Sequence, residues 1–213
     1  MRPLFFLLLG LLQGCTPAQQ SMMETFDTAL KGDKDITLSD EFIRTQPYAS
    51  MYLRLNQGQQ IFVVLGFIEQ GQSKWLTADN AMIVTRQGRL LKTTGLKENL
   101  LEVRSPEHDP LSEPSQLQQG ASWQRVIRWQ EEGRERSSVL SSQFSPGEET
   151  VLNLAGEKIV VREWLENVQS QTPDLRWQNR FWIDVKSGVV RRSEQTLGAG
   201  FYPVDMTFLK PAP

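Results

Sequence analysis

From Met51 to Leu209 the apolar residues recur at a period of two, and this alternation restricts the fold more than any other feature of the chain. Met51, Leu53 and Leu55 alternate with Tyr52, Arg54 and Asn56. Such a segment lays one face on a core and the other toward water, the signature of a β-strand. Ile61 to Ile68 is almost continuously apolar, which predicts a strand buried on both faces. Short strands are expected at Trp75–Thr77, Ala81–Thr85, Arg89–Thr93 and Leu100–Arg104, with Gln87-Gly88 as a hairpin turn. Further strands are expected at Trp123–Glu131 and Ser137–Phe144 around Gly133, and at Thr150–Leu154 and Lys158–Val168 around Gly156. The last are Arg176–Val185, Val189–Leu197 and Val204–Leu209. Strands in series joined by short turns make an antiparallel meander, not the alternating βαβ order of nucleotide-binding folds. Residues 105–120 hold three prolines and little apolar content, and read as a long loop within one sheet system.

The residues before the first strand have a different character. Residues 1–14 carry Arg2 followed by an apolar run from Leu4 to Leu12. That run is too short to span a bilayer, which takes about 20 residues, but it has the size of a signal-peptide core. It ends in Leu12-Gln13-Gly14-Cys15, which resembles a bacterial lipobox: an aliphatic residue, a small residue, then the cysteine that takes a diacylglycerol and becomes the new N-terminus. Cys15 is the one cysteine of the chain and stands where the pattern needs it. Several acyl chains on one residue give lasting membrane anchorage. Thr16 stands where lipoproteins kept in the inner membrane often carry Asp, so the resemblance favours the outer membrane, with the body facing the periplasm. Residues 15–21 read as a lipidated tether and 22–213 as a single β-rich domain. Two short helices are expected at its start. Ser21 and Glu24 form a capping box before Met22, Met23, Phe26 and Leu30, and Ser39 and Asp40 cap a turn that Pro47 ends.

Composition excludes several chemistries. With 23 Lys+Arg against 25 Asp+Glu the chain lacks the basic footprint of a nucleic-acid binder. One His and one Cys supply neither an internal disulfide nor a His-rich zinc site, and no metal or cofactor is expected. No P-loop or Gly-x-Gly-x-x-Gly motif is present. His108, in the Pro-rich loop, reads as solvent-facing.

Six tryptophans invite a carbohydrate reading, because sugar rings stack on indole faces. Alternation places Trp177, Phe181, Ile183 and Val185 on one face as core, and Trp182 on the other with Arg180 and Asp184. Trp123, Ile127 and Trp129 share a face with Arg125. Trp75 and Trp182 are therefore the indoles expected to be exposed, and with Arg89 they form the candidate glycan contacts. Arg89 follows a Gly88 turn and has two open readings, stacking on an aromatic or pairing with a carboxylate. Catalysis by paired carboxylates would draw on Asp79, Glu163 and Asp184, but Asp79 reads as a turn former and the other two as partners of neighbouring arginines.

The order Pro47-Tyr48-Ala49-Ser50-Met51, an apolar strand, Trp75, Asp79, Gly88-Arg89-Leu90 and Thr94-Gly95-Leu96 resembles the YjbF/GfcB (YmcC-like) lipoproteins. So do Glu163, Asn179, Trp182, Asp184, Gly188-Val189, Ser193 and Gln195. The resemblance implies a place in exopolysaccharide and group 4 capsule loci. It also implies a mainly β fold, an antiparallel meander forming an open or partial β-barrel. Two functions follow as expectations. One is a non-enzymatic outer-membrane lipoprotein that assists polysaccharide assembly or export, with the polymer or the export proteins as partners. The other is a periplasmic protein that binds or modifies glycan or lipid in a concave sheet. A deep apolar groove or two facing carboxylates would favour the second, and a filled interior the first.

Overall fold

The computed structural model describes residues 35–212. The leader, Cys15, the tether and the helix expected after Ser21 lie outside the described residues. The described residues form one α-helix, α1 (Asp40–Thr45), and twelve strands in a single antiparallel sheet. These are β1 (Ser50–Leu55), β2 (Gln60–Glu69), β3 (Gln72–Leu76), β4 (Met82–Arg86), β5 (Arg89–Thr94) and β6 (Leu100–Arg104). After the long loop come β7 (Ser122–Glu131), β8 (Arg134–Leu154), β9 (Glu157–Ser170), β10 (Leu175–Asp184), β11 (Val190–Thr196) and β12 (Pro203–Lys210).

Every strand pairs with its sequence neighbours except at β5 and β6, and β12 returns to pair with β1 through Leu53↔Met206 and Leu55↔Val204. The sheet therefore curls into a nearly closed barrel, as the meander and the family resemblance imply. Its two unpaired edges are β5 and β6. They meet at a seam where the Leu100 N–H donates to Thr93 Oγ1 at 2.9 Å.

The turns follow local chemistry. At Gln87-Gly88 both residues have positive φ, 46° and 78°, the two-residue turn that matches strand twist. Gly88 is also fixed by packing, since a Cβ there would lie 2.5 Å from a Val190 methyl. Ser39 caps α1 by accepting from the Phe42 N–H at 3.2 Å. The helix lies outside the sheet, with Phe42 edge-on to Phe62 and Ile43 buried.

Three expectations change. Ile61 to Ile68 is not buried on both faces: Phe67 and Ile68 are 50% and 44% exposed, because β2 outruns the core at its C-terminal end. Ser137–Phe144 and Thr150–Leu154 are parts of one strand, β8, with a register shift between Pro146 and Glu149 that interrupts the alternation. Val185 is 52% exposed rather than core, since β10 ends one residue before it.

The 105–120 loop folds inward. It makes 3-10 turns at Pro110–Ser112 and Pro114–Gln116, with Leu111 and Leu117 in the core. It fills the mouth where β8 continues past the start of β7, and Ser115 packs against Gly188 of the β10–β11 turn. This end of the barrel is called the plugged end below. It also carries the β2–β3, β4–β5 and β8–β9 turns and the end of β12.

Candidate functional site

The barrel interior holds a cluster of charges. Alternation along β7 turns Trp123, Arg125, Ile127 and Trp129 inward. On β9 the same alternation turns Glu166 and Val168 inward, and Glu166 is completely buried. The β4–β5 turn starts β5 with Arg89, whose side chain also points inside and is 4% exposed.

Every Glu166 oxygen is occupied. Oε2 accepts from Arg89 Nη1 at 2.6 Å and from Asn179 Nδ2 at 2.8 Å. Oε1 accepts from Ser142 Oγ at 2.8 Å and faces Arg125 Nη1 at 3.1 Å. Asp109, brought in by the loop, accepts from Arg89 Nε at 2.9 Å and from Nη2 at 3.2 Å. Two buried cations thus meet two carboxylates, which is how a charged cluster becomes tolerable in a low-dielectric interior.

Aromatic faces complete the enclosure. The Arg89 guanidinium lies 4.8 Å from the Trp123 ring centre and 4.9 Å from that of Phe181, and Arg125 lies 4.3 Å from Trp123. Burial alone would raise the Glu166 pKa. Arg125 and Arg89 outweigh it and hold the carboxyl down at about 2. For Arg125, burial dominates and brings the guanidinium down to about 10. For Arg89, burial pulls down but Asp109 and Glu166 raise it further. The cavity beside this cluster, next to Arg89, Arg125 and Asn179, measures about 20 Å3. That holds about one water molecule. Around this cluster the interior is filled by side chains of the described residues.

Both readings of Arg89 are realised at once: it pairs with two carboxylates and stacks on two rings. It presents nothing to solvent. Trp75 also departs from its expected exposure. It is 1% exposed, packs against Phe208, and donates from Nε1 to Thr85 Oγ1 at 2.9 Å. Its register opposite Leu65 of β2 and the buried Ile83 of β4 turns it to the core face. Trp182 does lie on the outer face, as alternation predicts, yet it is 7% exposed. Arg180 and Arg192 stack over its ring at 4.9 and 4.8 Å. The structure does not bring Trp75, Trp182 and Arg89 together, since Trp182 is outside the barrel and the other two are inside.

The sequence matches the family described as "Group 4 capsule polysaccharide lipoprotein gfcB, YjbF" over residues 23–209. The chain belongs to the YjbF family.

Two relatives of this YjbF-family chain come from Escherichia coli (strain K12). The "Uncharacterized lipoprotein GfcB" is 53% identical over 214 residues, covering 100% of both chains. The "Uncharacterized lipoprotein YjbF" is 40% identical over 211 residues, covering 99% of this chain and 98% of that one. The crystal structure of the hypothetical lipoprotein YmcC from Escherichia coli (K12) superimposes with a TM-score of 0.82. It is 48% identical and covers 94% of this chain and 99% of its own.

The carboxylates considered for catalysis each have a structural task in this YjbF-family fold. Asp79 accepts from the Thr77 hydroxyl in the β3–β4 turn. Glu163 pairs with Arg180. Asp184 accepts from Ser187 Oγ at 2.7 Å and from the Lys186 N–H at 2.8 Å, which closes the β10–β11 turn and lowers its pKa against the opposing effect of burial. His108 is exposed, as expected. Among the described residues no cluster of His, Cys, Asp and Glu is arranged to hold a metal ion, and no helix is long and apolar enough to cross a membrane.

Glu166, Asp109, Ser142 and Asn179 were not singled out together by sequence reasoning. Alternation does carry a signal for Glu166, since it occupies an inward position between Trp164 and Val168. Asp109 lies in a loop with no periodicity, and nothing local marks it.

Proposed function

We propose that the chain is a non-enzymatic outer-membrane lipoprotein that assists assembly or export of a capsule or exopolysaccharide. Its membership of a capsule lipoprotein family supports the pathway. The observation that carries the non-enzymatic reading is the state of its buried acid. A general acid in glycoside cleavage needs a raised pKa and a cleft that admits a sugar. Glu166 is instead held at about 2 by two arginines, inside a barrel whose adjoining cavity is about 20 Å3. A filled barrel acts through its surface, as a scaffold or adaptor for the polymer or the export proteins.

The lipobox supplies the location: Cys15 carries the acyl chains and the body faces the periplasm. Deleting the gene in a producing strain is expected to lower surface polysaccharide, and the wild-type chain to restore it. Cys15→Ser is expected to leave the outer-membrane fraction and to restore little. Unchanged surface polysaccharide in the deletion strain would overturn the role, and outer-membrane fractionation of Cys15→Ser would overturn the anchor.

A further inference from the structure

The plugged end of the barrel carries an apolar strip that none of the described residues covers. Val151 and Val160 are direct cross-strand partners on β8 and β9. The Val185 N–H donates to the Val160 carbonyl at 3.1 Å, which places Val185 next in the same row. The three are 50%, 44% and 52% exposed. Single exposed valines are ordinary, but a row of three across adjacent strands is a patch. It arises because β8 and β9 run on past β7, so inward-parity positions lose the core they would otherwise face.

Beyond the strip, Val189, across the turn from Val185, lines a recess of about 300 Å3 in which Ile68, Val190 and Phe208 are mixed with Ser73, Thr85 and Gln87.

The charges around the valines are unequal. Glu149 pairs with Arg162. Asp184 and Glu157 both interact with Arg191. The Lys158 and Lys186 side chains are exposed, and their ammonium groups have no carboxylate partner among the described residues. An apolar strip flanked by free lysines has the chemistry of a surface that settles into the headgroup layer of a bilayer.

We propose that this end of the barrel docks on a lipid bilayer, with Val151, Val160 and Val185 at the contact and Lys158 and Lys186 against anionic headgroups. The proposal rests on the reading of Cys15 as the lipid-bearing residue. A patch this small would hold a free protein poorly. A tethered body is different, because residues 16–34, extended except for the helix expected over Met22–Leu30, can reach roughly 45 Å and the bilayer is always at high effective concentration. Asp35, the first described residue, is held by Arg54 and Gln60 at the opposite end of the barrel, and residues 36–46 return along the outside to the end of β12. The tether is long enough to let the plugged end turn to the membrane.

The test uses the full lipidated chain in vesicles of phosphatidylcholine and phosphatidylglycerol. Acylated Cys15 has no free thiol, so a thiol-reactive fluorophore reports one site in a Val160→Cys variant and one distant site in a Ser137→Cys variant. The Val160→Cys probe is expected to be quenched several-fold more by spin-labelled lipid than the Ser137→Cys probe, and less by aqueous iodide. Adding Lys158→Glu and Lys186→Glu is expected to remove the difference while the protein stays on the vesicles. If both probes are equally accessible to iodide on vesicle-bound protein, the docking is overturned and the anchor stands. If the chain does not partition with vesicles at all, the anchor reading fails and the docking with it. Shielding of Val160→Cys in native envelopes but not in pure lipid would overturn the proposal in favour of a protein partner.

Discussion

Arg89 Nη1 donates to Glu166 Oε2 across 2.6 Å, joining β5 to β9 through residues 77 apart in sequence. β5 is an edge of the sheet, and β9 lies across the barrel from it. The bond therefore closes the barrel through its interior where backbone pairing does not close it at the seam. Asp109 completes the arrangement by tying the plug loop to the same guanidinium.

Removing one partner of such a cluster leaves a buried charge uncompensated. Glu166→Gln is expected to destabilise the protein by roughly 3–5 kcal/mol. Replacing a carboxylate by an isosteric amide keeps the volume, so the loss reports charge rather than packing. Chemical denaturation of the two proteins under the same conditions checks it, and equal midpoints would contradict it.

The same cluster sets an acid limit. The folded pKa of Glu166, about 2, lies below its ordinary value of 4.5. The unfolded chain therefore binds the proton first, and the stabilisation is complete above about pH 4.5. It is lost as the pH falls from there toward 2. Stability measured between pH 5 and pH 2 is expected to drop steeply in the wild type and less steeply in Glu166→Gln. Parallel slopes would show that other carboxylates govern acid unfolding.

Asp109 offers a local test. Asp109→Asn removes the charge that holds the loop to Arg89 but leaves the Glu166 contacts. Amide exchange in residues 105–120 is expected to accelerate several-fold while β9 and β10 remain protected. Unchanged exchange in the loop would show that Leu111 and Leu117 alone hold the plug.

Gly88→Ala is expected to cost about 1–3 kcal/mol. The positive φ disfavours any side chain, and the new methyl would press on Val190. A thermal unfolding midpoint within error of the wild type would contradict this account of the turn.

Much of the fold was legible because its determinants are local. Gln87-Gly88, Gly133 and Gly156 each mark a tight turn, and the inward row Trp123, Arg125, Ile127 and Trp129 can be read from alternation alone. The register shift near Pro146 was not legible, since it breaks the alternation that reveals a strand, and β8 reads as two. The site was less legible for a different reason. Alternation says which side of the sheet Arg89, Arg125 and Glu166 occupy, but not that strands far apart in sequence bring them together. Trp75 and Trp182 fail for a related reason. Trp75 is covered by Phe208 of β12, and Trp182 by Arg180 on its own strand face together with Arg192 of β11, so in each case part of the cover comes from a strand that alternation along one segment does not reveal.

The most direct test compares the polysaccharide of a producing strain with that of the same strain lacking this gene, in both surface amount and chemical composition. A non-enzymatic assistant of assembly or export predicts less polymer at the surface, with the same sugars, linkages and substituents in what is made. A polymer present at the usual surface level, or one whose composition changes on deletion, would contradict the account.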